Sequence, residues 1–240
     1  MESIIGSYKP AWFYIHQAFG VLHAVGIPIA PDFKYERHYQ TSDSSDVKGV
    51  ITYDVIRAGA YSMESHSARQ PPKVADGSKP RVVLIIPGVS GDSEEGYIKE
   101  LAGVASHKGY NVCVLNPLGP FHTDEPDLEM IDFTRDRVFE QAVEKTKEIF
   151  GDEIDLYLLG FSLGSNHMLR HLGTHKNCND VCNFRAAVSV SSAFDIVATG
   201  IDLKHKMGTI YDKYILYWLS KFWREKRYKI QRLNPERNFV

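Results

Sequence analysis

The chain has 240 residues, 43% of them hydrophobic and 24% charged, with a formal net charge of −2. That length is ample for a single buried core, and the composition is that of an ordinary globular protein. Near-neutral charge, with no dense basic run before the C-terminal helix, argues against a nucleic-acid partner. Three cysteines, Cys113, Cys178 and Cys182, are too few for a disulfide framework and fit a reducing, cytoplasmic setting.

No secretory signal pattern opens the chain. The most apolar long stretch, residues 11–30, is interrupted by His16, Gln17, His23 and Pro28. A spanning helix needs about twenty largely apolar residues. Residues 1–33 therefore read as an N-terminal helical appendage, amphipathic or buried, for which peripheral contact with a membrane surface is the open alternative. Tyr35–Thr41 alternates with aromatic residues and predicts a strand, Ser42–Asp46 a polar turn, and Val47–Ile56 a second strand, together an antiparallel hairpin. Tyr61–Lys79, with Pro71-Pro72 and Asp76-Gly77, reads as a loop.

A strand–helix alternation follows. Arg81–Ile86 (RVVLII) is a buried strand stopped by Pro87-Gly88. Tyr97–Lys108 is a helix with Ile98, Leu101, Val104 and Ala105 on its apolar face and Gly109 at its end. Asn111–Leu115 is a strand in which Cys113 fills a core position. Phe133–Phe150 is a long helix with Thr134 and Gly151 as caps. Leu156–Leu159 is another buried strand, and Ala186–Ser191 is the last. From Leu203 to about Arg227 the pattern is helical again. Alternation of this kind predicts a mostly parallel sheet covered by helices on both faces.

The stretch DLYLLGFSLGSNHMLRHLG, Asp155–Gly173, carries the chemistry. Gly160-Phe161-Ser162-Leu163-Gly164 sits between a strand and a helix, which is the setting of a nucleophile elbow. The turn is so tight that side chains flanking the serine would clash, and Ser162 itself is expected in a strained conformation. The Leu163 amide, at the helix N-terminus, points where an oxyanion would form.

Four motifs in order carry a resemblance over about residues 34–222. They are the opening YERHYQ…ITYDV, Pro87-Gly88-Val89-Ser90-Gly91-Asp92-Ser93, the following Tyr97-Ile98, and the elbow GFSLGSN. The chain resembles the α/β-hydrolase superfamily, and within it the branch of acylglycerol lipases, medium-chain carboxylesterases and ester-forming acyltransferases. The resemblance implies an α/β-hydrolase fold over residues 34–240, with cap helices over about 195–230. It makes Ser162 the nucleophile and the amides of Val89 and Leu163 the oxyanion donors. Gly88 would let its loop approach the substrate, and Tyr214 and Trp218 of the cap would line an apolar acyl site. The implied reaction is acyl transfer from a small ester or lipid substrate through an acyl-serine, with no metal or organic cofactor. Two departures stand out: Ala193 occupies a position where proline is usual, and Asn116-Pro117-Leu118-Gly119 lacks the arginine of the N-x-R-G segment.

That mechanism needs a histidine base and an acid, in the chain order Ser, acid, His. The resemblance places both beyond the strand after Ala186–Ser191, and the sequence stops at Val240. The expected sheet therefore lacks its C-terminal strands, which leaves Ala186–Ser191 as an unpaired edge. Asp195 is a candidate acid, against the competing reading of a helix cap. The base is unassigned: His205 and His122 are weak candidates, and His167 and His171 read as packing residues rather than a metal pair. A serine ester hydrolase is the leading expectation. A hydrolase-like binding or regulatory protein without turnover is the alternative.

Overall fold

The structure, a computed structural model, describes residues 34–44, 47–60, 78–89, 91–116, 137–174 and 184–205, with 213, 216, 217, 219–221 and 224. Contacts divide the chain between Ala30 and Pro31, and every described residue belongs to the second unit. The expected N-terminal helix, the 61–77 loop and the Thr134 cap lie outside the described residues.

Ten elements follow in chain order: β1 (Glu36–Ser44), β2 (Val47–Ile56), β3 (Arg81–Ile86), α1 (Gly96–His107), β4 (Asn111–Asn116), α2 (Arg137–Phe150), β5 (Asp155–Phe161), α3 (Ser162–Thr174), β6 (Phe184–Val190) and α4 (Ile196–His205). The strands make one sheet in the order β1-β2-β4-β3-β5-β6. β1 and β2 pair antiparallel, β2 meets β4 antiparallel, and β4, β3, β5 and β6 run parallel.

The apolar runs explain the placement. β3 and β4 are rich in β-branched residues and almost continuously buried, as central parallel strands must be. Successive residues face opposite sides of a strand, and the core divides accordingly. Tyr53, Leu84, Cys113, Leu156 and Leu158 pack with Phe139 of α2 and Met168 of α3. Ile56, Ile85, Val112 and Val114 pack with Ile98 and Ala102 of α1. Each large aliphatic side chain buried in these layers contributes about 1.5–3 kcal/mol.

Among the described residues, element ends shift by up to three positions from the sequence expectation, and a few details bear on packing. The first hairpin is tighter: β1 continues to Ser44, paired with Val47, so the turn shrinks to residues 45–46. Helix α1 buries Ile98 as expected, together with Ala102, Gly103 and Ser106, with Ala105 half-buried against the same core, whereas Leu101 is exposed. Small residues bring that face close to the sheet, and the Ser106 hydroxyl donates to the Arg57 carbonyl at 2.8 Å. The helix after β6 begins at Ile196, at the start of the expected cap segment, and Asp195 takes the cap reading rather than that of an acid: the Ala198 amide donates to Asp195 Oδ1 at 2.8 Å.

At the far edge stands β6. Its middle residues are exposed, with Val188 52% accessible, and among the described residues no strand pairs with its outer side.

Candidate active site at the end of the fifth strand

Ser162 is the first residue of α3 and follows directly on Phe161, the last of β5. It is exposed, and its φ of 48° lies in the left-handed region, which costs a non-glycine residue about 1–3 kcal/mol. The two glycines are demanded by packing. A Cβ on Gly164 would lie 2.1 Å from the Pro87 carbonyl oxygen and 2.5 Å from that of Ile86. One on Gly160 would lie 2.6 Å from Ser165 Cα. Helix α3 can leave β5 at this angle only because both positions lack a side chain.

The loop after β3 approaches the same point. A Cβ on Gly88 would be 3.2 Å from Ser162 Cβ and 3.8 Å from its Oγ, so bare backbone lies beside the hydroxyl. The Gly91 amide closes a turn onto the Gly88 carbonyl at 3.1 Å, and Val89, between them, is 53% exposed. The Tyr97 ring packs edge-on against Phe161, with centroids 4.9 Å apart. Its hydroxyl lies beside Gly91, where an added Cβ would be 3.1 Å away, and burial pushes its phenol pKa up to about 12.

Across the elbow, Ser165 Oγ donates to Ser189 Oγ at 2.6 Å, and Asn166 Nδ2 donates to the Ala193 carbonyl at 2.8 Å. Phe161 pairs with Val190, so the next residues, Ser162 and Ser191, follow one rung of the sheet. Ser191 is also left-handed, with φ 51°.

Gly88, Val89, Ser162 and Leu163 thus come from two neighbouring strand ends. Asp195 lies beyond β6, with its carboxylate on the α4 amide. Tyr214, Trp218 and His122 lie outside the described residues, and of His205 only its place in α4 is described. His171 is buried with its ring 4.5 Å from that of Phe139, a packing contact. Among the described residues no three histidine, cysteine or carboxylate side chains are grouped to hold a metal ion.

Sequence reasoning did not single out the polar cluster beneath the Gly88 loop. Asp54 of β2 is fully buried and takes a two-pronged ion pair from Arg37, Nε to Oδ1 at 2.7 Å and Nη2 to Oδ2 at 2.8 Å. The same Oδ2 accepts from Asn116 Nδ2 at 2.8 Å and from the Ser93 hydroxyl. The Ser93 amide donates to Asn116 Oδ1 at 2.9 Å, and the Tyr35 hydroxyl donates to the Ser93 carbonyl at 2.6 Å. The Asp54 carboxylate holds the Arg37 guanidinium pKa above its ordinary value. These residues lie within the quoted motifs, but spacing along the chain carries no sign that the motifs converge on one carboxylate.

A family model described as the alpha/beta hydrolase fold matches residues 81–235. The chain is 30% identical over 138 residues to the embryogenesis-associated protein EMB8 of Picea glauca, a match covering 55% of this chain and 28% of that protein. Over 134 residues it is 28% identical to a monoacylglycerol lipase of Saccharomyces cerevisiae, covering 55% of this chain and 28% of the relative. The matched part thus spans only 28% of the length of these relatives. Among solved structures, Est1E from Butyrivibrio proteoclasticus aligns with a TM-score of 0.46 and 18% identity, over 72% of this chain and 57% of that one.

Proposed function

The chain belongs to the alpha/beta hydrolase family, and on that premise we propose that it is a carboxylic ester hydrolase acting through an acyl-serine at Ser162. One observation carries the reading: an exposed serine at φ 48°, between two glycines that packing requires, with the bare backbone of Gly88 beside its hydroxyl. A strained, exposed serine has no packing role that would offset its cost.

In this reading Ser162 Oγ attacks the ester carbonyl while a base takes its proton. The amides of Val89 and Leu163 stabilise the developing oxyanion, a contribution of about 3–4 kcal/mol per donor in comparable sites. The hydrolase domain is residues 34–240 and the appendage 1–33. Relatives named monoacylglycerol lipase support a lipid ester as substrate. Phe194, Ile196, Val197 and Ile201 are exposed apolar residues just past β6, on the edge of the sheet that carries Ser162. With Tyr214 and Trp218 they would favour a fatty acyl chain over a polar one.

The second reading, an acyl-ester binding protein without turnover, is favoured by the commitment of Asp195 to the α4 cap. Hydrolysis of chromogenic esters with short, medium and long acyl chains separates the two. The enzyme reading expects turnover that vanishes in Ser162→Ala and prefers the longer chains. Saturable binding of the same esters with no Ser162-dependent turnover would favour the binding protein.

A further inference from the structure

The three polar groups of Ser93 are held by three different parts of the molecule. Its amide is bound by Asn116 of β4, its hydroxyl by Asp54 of β2, and its carbonyl by the Tyr35 hydroxyl ahead of β1. Partners so far apart in sequence meet at one residue of the loop between β3 and α1. Stability alone does not explain the carboxylate at their centre. Removing a charge from water costs several kcal/mol, and an apolar group of the same volume is often neutral or better for stability. What a buried ion pair with directional hydrogen bonds supplies instead is a fixed orientation.

The geometry points to that use. The loop leaves β3 at Pro87 against the elbow, with bare Gly88 backbone beside Ser162, and is closed by the Gly88–Gly91 turn. It is tied again at Ser93 by the Asp54 cluster. Val89 lies between the two anchors. We infer that Asp54, with Arg37, Asn116 and Tyr35, is a positioning centre that fixes the Gly88–Ser93 loop, and hence the Val89 amide, relative to Ser162. The role of Val89 rests on the acyl-transfer reading; the fixing of the loop does not.

The test uses the full chain as wild type, Ser93→Ala, Ser93→Thr and Asp54→Asn. Two quantities are measured: amide hydrogen exchange of the peptide covering the loop, and inactivation by a serine-directed alkyl phosphonate, resolved into a binding constant and a chemical rate. In folded Ser93→Ala the loop amides should exchange roughly tenfold faster, as loss of one charge-assisted hydrogen bond implies. The chemical rate should fall up to roughly a hundredfold, the scale expected of a small misplacement, with the binding constant within about twofold. Ser93→Thr should restore both. If Ser93→Ala does not fold, the isosteric Asp54→Asn takes its place. Unchanged loop exchange in a folded variant overturns the inference. So does a chemical rate equal to wild type when wild type is labelled. A wild-type chain that is never labelled removes the acyl-transfer reading instead, and loop exchange alone then decides whether the cluster holds the loop.

Discussion

The two flanks of Ser162 are built differently. On the β3–β4–β2 side, the neighbouring loop is tied to a fully buried carboxylate inside the sheet, ion-paired to the part-exposed Arg37, with apolar layers above and below. On the β6–α4 side, the contacts are a serine–serine bond and an asparagine–carbonyl bond, and the flanking apolar side chains face solvent, Phe194 at 81% exposure. One flank is a rigid reference and the other an open surface. That division suits a site in which oxyanion donors must not move while an acyl chain must enter.

The largest expected effect tests the rigid flank. Arg37→Met leaves a fully buried carboxylate without its cation and should cost about 3–5 kcal/mol in a urea melt. A cost below about 1 kcal/mol would mean that the ion pair is not what anchors that side. Next, Gly164→Ala drives a Cβ to 2.1 Å from the Pro87 carbonyl. It should cost about 3 kcal/mol or more and shift the elbow, whereas an alanine at exposed Gly173, where nothing lies within 4 Å, should be tolerated.

A third prediction separates the flanks by pH. Burial pushes the Cys113 thiol up to about 12, and it pushes the Tyr97 hydroxyl up to about 12, from ordinary values of 9.0 and 10.0. Folded protein then keeps protons that the unfolded chain loses. This contribution is complete below pH 9.0, the lower of the two unfolded values, and is lost as pH rises toward about 12. Denaturant midpoints should fall through that window, and Cys113 should resist alkylation until unfolding. Flat midpoints with rapid Cys113 alkylation would show the layer around β4 to be open. The smallest effect belongs to the other flank. Val188→Lys on exposed β6 should change stability by no more than about 0.5 kcal/mol and reduce any self-association through that edge. A large loss would mean that β6 is covered after all.

Much of this was legible in the sequence, for physical reasons that can be named. RVVLII and the run from Val47 to Ile56 gave their strands residue for residue, because β-branched runs bounded by breakers leave little choice. The elbow was legible because glycine, serine and glycine at fixed spacing answer a local steric demand. The face of α1 was legible at Ile98 and Ala105 but not at Ala102, Gly103 and Ser106, which are buried through close approach, a feature hydrophobicity does not mark. The start of α4 was legible through Asp195, a capping residue at the end of a strand pattern, although Ile196 and Val197 face solvent and blur the helical period that follows. The Asp54 cluster was invisible for a different reason. Its members lie on β1, β2, β4 and the loop after β3, and only the sheet order β1-β2-β4-β3 brings them together.

The central claim is that Ser162 is an activated nucleophile. The most direct measurement is the mass of the full chain after exposure to a long-chain alkyl phosphonate, with the modified residue located by peptide mapping. The account predicts one adduct, on the peptide carrying Ser162, absent from folded Ser162→Ala. A folded wild-type chain that takes up no phosphonate, or an adduct that persists in Ser162→Ala, would contradict it.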